Sequence, residues 1–446
     1  MKLNTSKAIS PAKTFSKDEG GAITALNLFF VLVMAILGGI AIDVASLVQA
    51  RTQLQVAADT AAHTALYARD RTNDKDAAKQ EALDIASAIM PTGRYGDVLR
   101  LENIHFGTYD KTTKKFSINE NSRDAVYVKT DRLSENSNPV TSFLLRIVGF
   151  ADWDVATESI FETYRKGCLR EGFVAEDVVD IQSGNGFYNG FCVHSNTHVS
   201  ANQNNVFELG TIVSMPNIEL LDIPNSGFEK NEGLAAALFQ GGMNILIVNR
   251  INEIVDGMTD PDSRYYRKSY LDNHIMVKTS LTNNNNNVTV AMVTPNRVNE
   301  FTCTKSNGSI TMEGDVFKNA VIITNCPVNM SSGTAFEDVT LITKDTSVKS
   351  ITAPSGLRIG KDDNCADGGG AEIITYGGIS QAAKVEIYNG QLLAVGPITF
   401  AASNEGIKGA SIVSGSTIDA TSGSKMAFCG KGMGSIFEAE YFRMAG

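Results

Sequence analysis

Cysteine is missing from the first 167 residues, tryptophan occurs once, and no Gly-x-x-x-x-Gly-Lys phosphate loop or Gly-x-Ser-x-Gly nucleophile elbow occurs anywhere. The last two absences argue against the commonest nucleotide-hydrolysing and serine-hydrolase chemistries. Basic residues are also short: 39 Lys and Arg face 49 Asp and Glu, for a net charge of -10 with no basic stripe. Such a surface argues against nucleic acid and against adhesion to anionic lipid, so protein or carbohydrate partners are expected. Short C-x-x-C spacings are absent as well. The six cysteines Cys168, Cys192, Cys303, Cys326, Cys365 and Cys429 therefore read as structural disulfides of an exported domain, with connectivity open among fifteen pairings.

Long apolar runs are equally scarce, and there is one. Residues 22–42 carry no charge and are just long enough to cross the hydrocarbon core, which takes about 20 residues. Ala22, Leu26, Phe29, Phe30, Val31, Leu32, Val33, Ile36, Leu37, Ile40 and Ile42 are the expected membrane anchor. Lys2, Lys7, Lys13 and Lys17 precede the run and Arg51 is the first basic residue after it, so the N-terminal tail of a single-pass membrane protein is expected to stay in the cytoplasm. A cleaved signal would have an apolar region of only roughly 7–15 residues, and Asp43-Val-Ala-Ser is a poor cleavage site.

Beyond the run, strong helix formers without Gly or Pro continue to Arg69, so the span should emerge as a rod. Leu47, Ala50, Leu54, Ala57, Ala58, Ala61 and Ala65 recur at three- and four-residue steps and make a stripe of small residues. Small side chains permit close approach of another helix or sheet, either from other subunits or from the chain's own next domain. A second helix is expected over 74–89, stopped by Pro91, followed by strands at 99–109, 116–118, 125–130 and 155–164 and a short helix at 142–148.

From Cys168 onward, short β-prone runs such as Ala320-Val-Ile-Ile-Thr and Val339-Thr-Leu-Ile-Thr alternate with Gly, Asn and Ser. Their spacing favours a right-handed parallel β-helix, with a β-sandwich as the alternative. A helical pattern over 232–270 reads as an insertion, and the asparagines at 283–287 as a loop tip. The expected class is α+β: tail 1–20, transmembrane helix 21–43, rod 44–90, small α+β module 91–165, and a disulfide-containing β-rich domain 166–446.

Phe15-Ser-Lys-Asp-Glu-Gly-Gly-Ala-Ile, the span, Gly39-Ile-Ala-Ile-Asp-Val and Gln53-Leu-Gln-Val-Ala-Ala-Asp-Thr-Ala-Ala together resemble the TadE/TadG-like proteins of bacterial tight-adherence (Flp) pilus systems, in their TadG branch. Phe106-Gly-Thr-Tyr-Asp, Asp124-Ala-Val-Tyr-Val-Lys-Thr, and Phe143 to Phe150 followed by Val155-Ala-Thr extend the likeness more loosely. The resemblance implies a membrane-anchored assembly component whose partners are other pilus proteins or pilin-like subunits. Pilin-like members carry a Glu five residues beyond their processing site. A cut after Gly20 or Gly21 would place Ala25 or Leu26 there, which points to a permanently anchored role. Longer TadG-like proteins end in a von Willebrand A domain, whose Asp-x-Ser-x-Ser pattern is not matched by Asp180-Ile-Gln-Ser183-Gly. The alternatives are an adhesin or glycan-binding protein independent of a pilus, and a β-helix glycan-active enzyme.

No cofactor is expected. Cys192-Val-His194-Ser-Asn-Thr-His198 has two imidazoles four apart, but its Gly and Ser neighbours favour a turn or strand with polar surface histidines over a zinc face. His63, His105 and His274 are isolated and read as structural. Asp362, Asp363 and Asp367 gather oxygen ligands but lack the order of a calcium loop, so a solvated, tethered loop is the plainer reading.

Overall fold

The computed structural model describes residues 20–267, 269–273, 275–420, 422–429, 434 and 436–445. The basic tail and His274 lie outside them. The chain forms two compact units, residues 1–164 with 440–446, and residues 165–439.

The first unit is built on α1, Gly20–Thr72, one uninterrupted helix from the apolar run through the rod. It ends at Asn73, whose φ of 55° is a left-handed conformation that Asn tolerates well. Asp74 then caps α2, Lys75–Ile89, by accepting the N–H groups of Asp76 and Ala77 at 2.8 and 3.2 Å. The expected rod over 44–90 is therefore two helices, folded back on each other. Ala61, Ala65 and Ala68 of α1 share one core with Ala78, Ala82 and Ala86 of α2, all fully buried. Strands β1 (Ile104–Asp110), β2 (Lys115–Ile118), β3 (Ala125–Arg132) and β4 (Val155–Tyr164) form an antiparallel sheet that supplies Ile104, Phe106, Val126 and Val128 to that core. Thr130 ties sheet to helix, its hydroxyl donating to the Leu54 carbonyl at 2.9 Å.

A fifth strand completes this sheet from the far end of the chain. Tyr441–Met444 pairs antiparallel with β4, Tyr441 opposite Tyr164, and Arg443 reaches Glu162 at 2.6 Å. The β-rich domain assigned to 166–446 thus stops at Ala439. The segment from Arg165 to Ala439 is an insertion between two neighbouring strands of one sheet.

The second unit is a parallel β-solenoid. Its first rung comprises Gly172–Ala175, Val179–Ile181 and Gly186–Tyr188, and the second stacks on it in register, Cys192 on Gly172 and Val199 on Val179. Ile212–Met215 and Leu238–Gln240 continue to one physical end. The chain then crosses to the opposite end at Met276–Leu281 and winds back through 298–303, 316–324, 335–343, 371–375, 379–394 and 398–414. Its last rung docks on its first: Ile412 lies on Phe173, Ile418 on Val179 and Met426 on Phe187. The solenoid is therefore circularly permuted, with its two chain ends on adjacent central rungs and a strap over 241–275 joining its physical ends.

The strap corrects the helical insertion placed at 232–270. Asn231–Glu232 and Leu238–Gln240 are solenoid strands, and helix is confined to short stretches at Leu234–Ala237, Leu246–Asn249 and Ile251–Gly257. It crosses the rungs in order: Met243 exchanges two hydrogen bonds with Asn196, Asn252 accepts from the Tyr376 hydroxyl, and Tyr270 bonds Thr340 and Glu372.

Inside, one ladder of Val213, Val193, Phe173, Ile412, Leu392, Ile373, Leu341 and Ile322 runs across the seam without interruption, every member fully buried. A polar ladder accompanies it. Ser424 N–H donates to Asn185 Oδ1, Asn185 N–H to Asn205 Oδ1, and Asn205 N–H to Asn231 Oδ1, satisfying turn amides that water does not reach. The loop tip expected at 283–287 is a solenoid strand over Asn285–Val288, with Asn286 buried and its amide bonded to Asn283 and Ser309 carbonyls. The two β-prone runs picked out in the sequence lie on neighbouring rungs, Ala320 on Val339 and Val321 on Thr340. Disulfides join Cys168 to Cys192, Cys303 to Cys326 and Cys365 to Cys429.

Candidate functional site

Among the described residues, α1 alone is long and apolar enough to cross a membrane. Leu26, Phe29, Phe30, Val31, Leu32, Ile36, Leu37, Ile40 and Ile42 expose their side chains and Val33 is half-buried, while Ala22 lies in the same helix. A different face is covered, and it begins inside the run. Gly39, Asp43, Ala50, Leu54, Ala57, Ala58, Ala61 and Ala65 are buried and Leu47 is half-buried, one stripe continuing from span to rod. What covers it is the chain's own module: Met90, Val98, Val140 and Val155 over the lower half, and α2 and the sheet over the upper. The stripe expected to meet other rods or pilin-like subunits is therefore consumed within the unit, because alanine allows the module's backbone to approach.

At the exit from the run, Asp43 is 2% exposed. Its carboxylate accepts the N–H groups of Phe143 at 2.6 Å, Leu144 at 3.0 Å and Leu145 at 2.6 Å. A buried carboxylate is tolerable only when donors replace its water shell, and here three consecutive amides do so. This residue was legible only as the acidic end of the run. Its role depends on a loop one hundred residues away.

The solenoid's chemistry-bearing residues sit apart from one another. His194 is buried, not on the surface, with Nδ1 2.7 Å from Ser214 Oγ and Nε2 3.0 Å from Asn196 Oδ1; burial pushes its imidazolium down, towards the neutral ring. Asn196 in turn holds the strap, so His194 braces the junction of rung and strap. Cys192 beside it is in a disulfide. On the rod, His63 packs edge-on against Phe161 and Phe442, and His105 lies 3.2 Å from Glu120. Asp362 and Asp367 are exposed, Asp363 caps the Ala366 N–H, and Cys365 tethers their loop to Cys429. No three His, Cys, Asp or Glu side chains among the described residues are grouped to hold a metal ion.

Residues 172–430 match a family described as a domain of unknown function, DUF7867, over more than half of the chain. The chain belongs to that family. The matched range begins at the first strand of the first rung and ends just beyond the last, so the DUF7867 domain is the permuted solenoid with its strap. Residues 21–70 match the putative Flp pilus-assembly TadE/G-like family, a range that coincides with α1. This segment and the apolar helix make the chain a membrane-anchored relative of pilus-assembly proteins. No curated protein and no solved structure matches it.

One electrostatic feature marks the seam of the DUF7867 domain. Asp180 stacks in register on Asp419, and its pKa is raised by burial, by the Asp419 carboxylate and by Asp222. A raised pKa means the fold favours the protonated form. That contribution is complete below the ordinary carboxylate range, about 4, and is lost as pH rises through the folded value. Asp180→Asn should therefore raise the unfolding free energy obtained from urea titration at pH 7, by at most about 1 kcal/mol for this partly exposed pair. The gain should fade in parallel measurements at pH 4; a gain independent of pH would refute charge repulsion as its cause.

Proposed function

We propose that the chain is a non-catalytic component of a bacterial tight-adherence (Flp) pilus assembly system. It is anchored in the inner membrane with its N-terminus in the cytoplasm, and it exposes the solenoid beyond the membrane as an interaction module. The observation that carries this reading is the union, in one helix, of a TadE/G-like segment, an apolar span and the central support of a folded module. Such a helix transmits position rather than chemistry. The portion of α1 beyond Ile42 is about 45 Å long at 1.5 Å per residue, and it is braced over most of that length. The solenoid's polar groups support a mechanical role too, since His194, Asn185, Asn205 and Glu372 are engaged in rung and strap contacts. With the alanine stripe covered, contacts with other pilus components fall to the remaining surfaces, and the solenoid flanks are the largest candidates for a protein or glycan ligand.

Deleting the gene in its native host and shearing surface filaments tests this reading. Loss of filaments, with full-length protein confined to the membrane fraction of the parent strain, is the expected result. Undiminished filaments in the deletion strain would overturn it. Recovery in the sheared fraction of a chain shortened at Gly20 or Gly21 would replace the anchored factor with a processed minor pilin.

A further inference from the structure

Residues 142–151 form the tip of a hairpin. Its stem is Val140–Thr141 paired antiparallel with Asp152–Trp153, closed by the Ser142 N–H donating to the Ala151 carbonyl at 2.8 Å. A tip facing water normally carries Gly, Asn, Asp or Ser. This one reads Phe143-Leu-Leu-Arg-Ile-Val-Gly-Phe150, with Arg146 its single charge. The short helix expected at 142–148 is a single 3-10 turn over Leu145–Val148. Phe143 and Phe150 are each 63% exposed.

The hairpin's position gives this exposure a meaning. Leu144 lies directly against Gly39 of α1: a Cβ added at Gly39 would stand 2.9 Å from Leu144 Cβ, so only glycine admits the contact. Gly39 belongs to the apolar run, three residues before its end at Ile42, or about 4–5 Å inside it along the helix axis. The three amides bound by Asp43 lock the tip at that level. If α1 spans a bilayer, as proposed above, a side chain packed beside Gly39 lies at the edge of the hydrocarbon, and the exposed Phe143, held by its N–H to Asp43, lies at the headgroup boundary. Segments that lie in that layer bury Phe and Leu side chains there, and a long Arg side chain can keep its charge in water while its stem lies in the apolar zone.

We infer that the hairpin tip Phe143–Phe150 is a second membrane anchor, inserted into the interfacial layer of the leaflet from which α1 emerges, with lipid as its occupant. The inference rests on the reading of α1 as a span. A single helix can rotate about its own axis and change tilt. Two attachment points remove both freedoms and hold the α+β module at one height and one orientation above the bilayer, as an assembly platform requires.

The test uses the full chain in vesicles of phosphatidylethanolamine and phosphatidylglycerol, with tryptophan fluorescence quenched by lipids brominated along the acyl chain. Trp153→Phe removes the native fluorophore, whose Nε1 is buried without a partner. In this background Phe143→Trp reports the tip, Phe30→Trp the span, and Tyr67→Trp, exposed on α1 about 36 Å beyond Asp43, the water-facing rod. Emission from Phe143→Trp should fall about twofold or more, with the shallowest bromine most effective, as expected for burial ~5–10 Å into the interface. Tyr67→Trp should be unaffected. A quenched Phe30→Trp beside a Phe143→Trp as bright as Tyr67→Trp would overturn the hairpin anchor alone. An unquenched Phe30→Trp would overturn the span and the hairpin anchor together.

Discussion

Phe173→Ala should lower the stability of the solenoid by about 3–5 kcal/mol, the range for deleting a fully buried phenylalanine ring. Phe173 touches rungs on both sides of the seam. Its ring lies edge-on to Phe191 at 5.0 Å and to Phe400 at 5.4 Å, one in the first rungs and one in the last, and it stacks between Val193 and Ile412. Every other contact in that ladder joins rungs close in sequence, but Phe173 and Ile412 are brought together only when the strap has carried the chain the full length of the stack. The loop-closure cost of that long excursion is met at the seam, so a cavity there strikes the contact on which closure depends. Urea unfolding of the full chain in detergent, followed by far-ultraviolet circular dichroism, should show a midpoint well below that of Phe336→Ala, whose site lies among rungs consecutive in the chain. Equal midpoints would mean that the seam is no weaker a joint than any other.

The type of most elements was legible because the signal is local. The apolar run, the three-and-four stripe of α1 and the alternating strands each lie within one short continuous segment. Permutation was not legible, since Ile412 and Phe173 are the same kind of inward residue as Leu341 or Val193, and parallel pairing leaves no mark of which rung lies next. The asparagines misread as a loop tip follow the same logic. Asn286 has turn chemistry, but in a solenoid the turns stack, so its amide is buried and paired with neighbouring backbone. Six cysteines left fifteen pairings open until the rungs brought Cys303 beside Cys326 and the 361–370 loop beside the last rung. At the candidate site the span was plain in the sequence. Its partner hairpin was not, because Phe143–Phe150 is apolar without a period and resembles a short core helix.

Ala61→Leu should unfold the first unit's helical layer before it touches assembly. Ala61 is fully buried in the core shared by α1, α2 and the sheet, together with Ala65, Ala78, Ala82 and Phe106. A leucine brings three more carbons into a layer whose spacing is set by methyl groups, and overpacking of this kind costs about 1–3 kcal/mol. Neighbouring alanines cannot yield by changing rotamer, and the hydrogen bond from Thr130 to the Leu54 carbonyl holds the sheet against α1 close by, so relaxation means separating α1 from α2 or from β3. Ala61→Gly provides the contrast: it leaves the spacing intact and loses roughly 1 kcal/mol of helix propensity. Thermal melts in detergent, with the amount of each variant in native membranes, separate the two uses of the stripe. An internal core predicts a lower melting temperature and depleted Ala61→Leu protein, with filament output falling only as far as protein level does. Normal stability and abundance with filaments abolished would instead return the alanine stripe to contact between subunits, and would require the α1–α2 packing to open in the assembled machine.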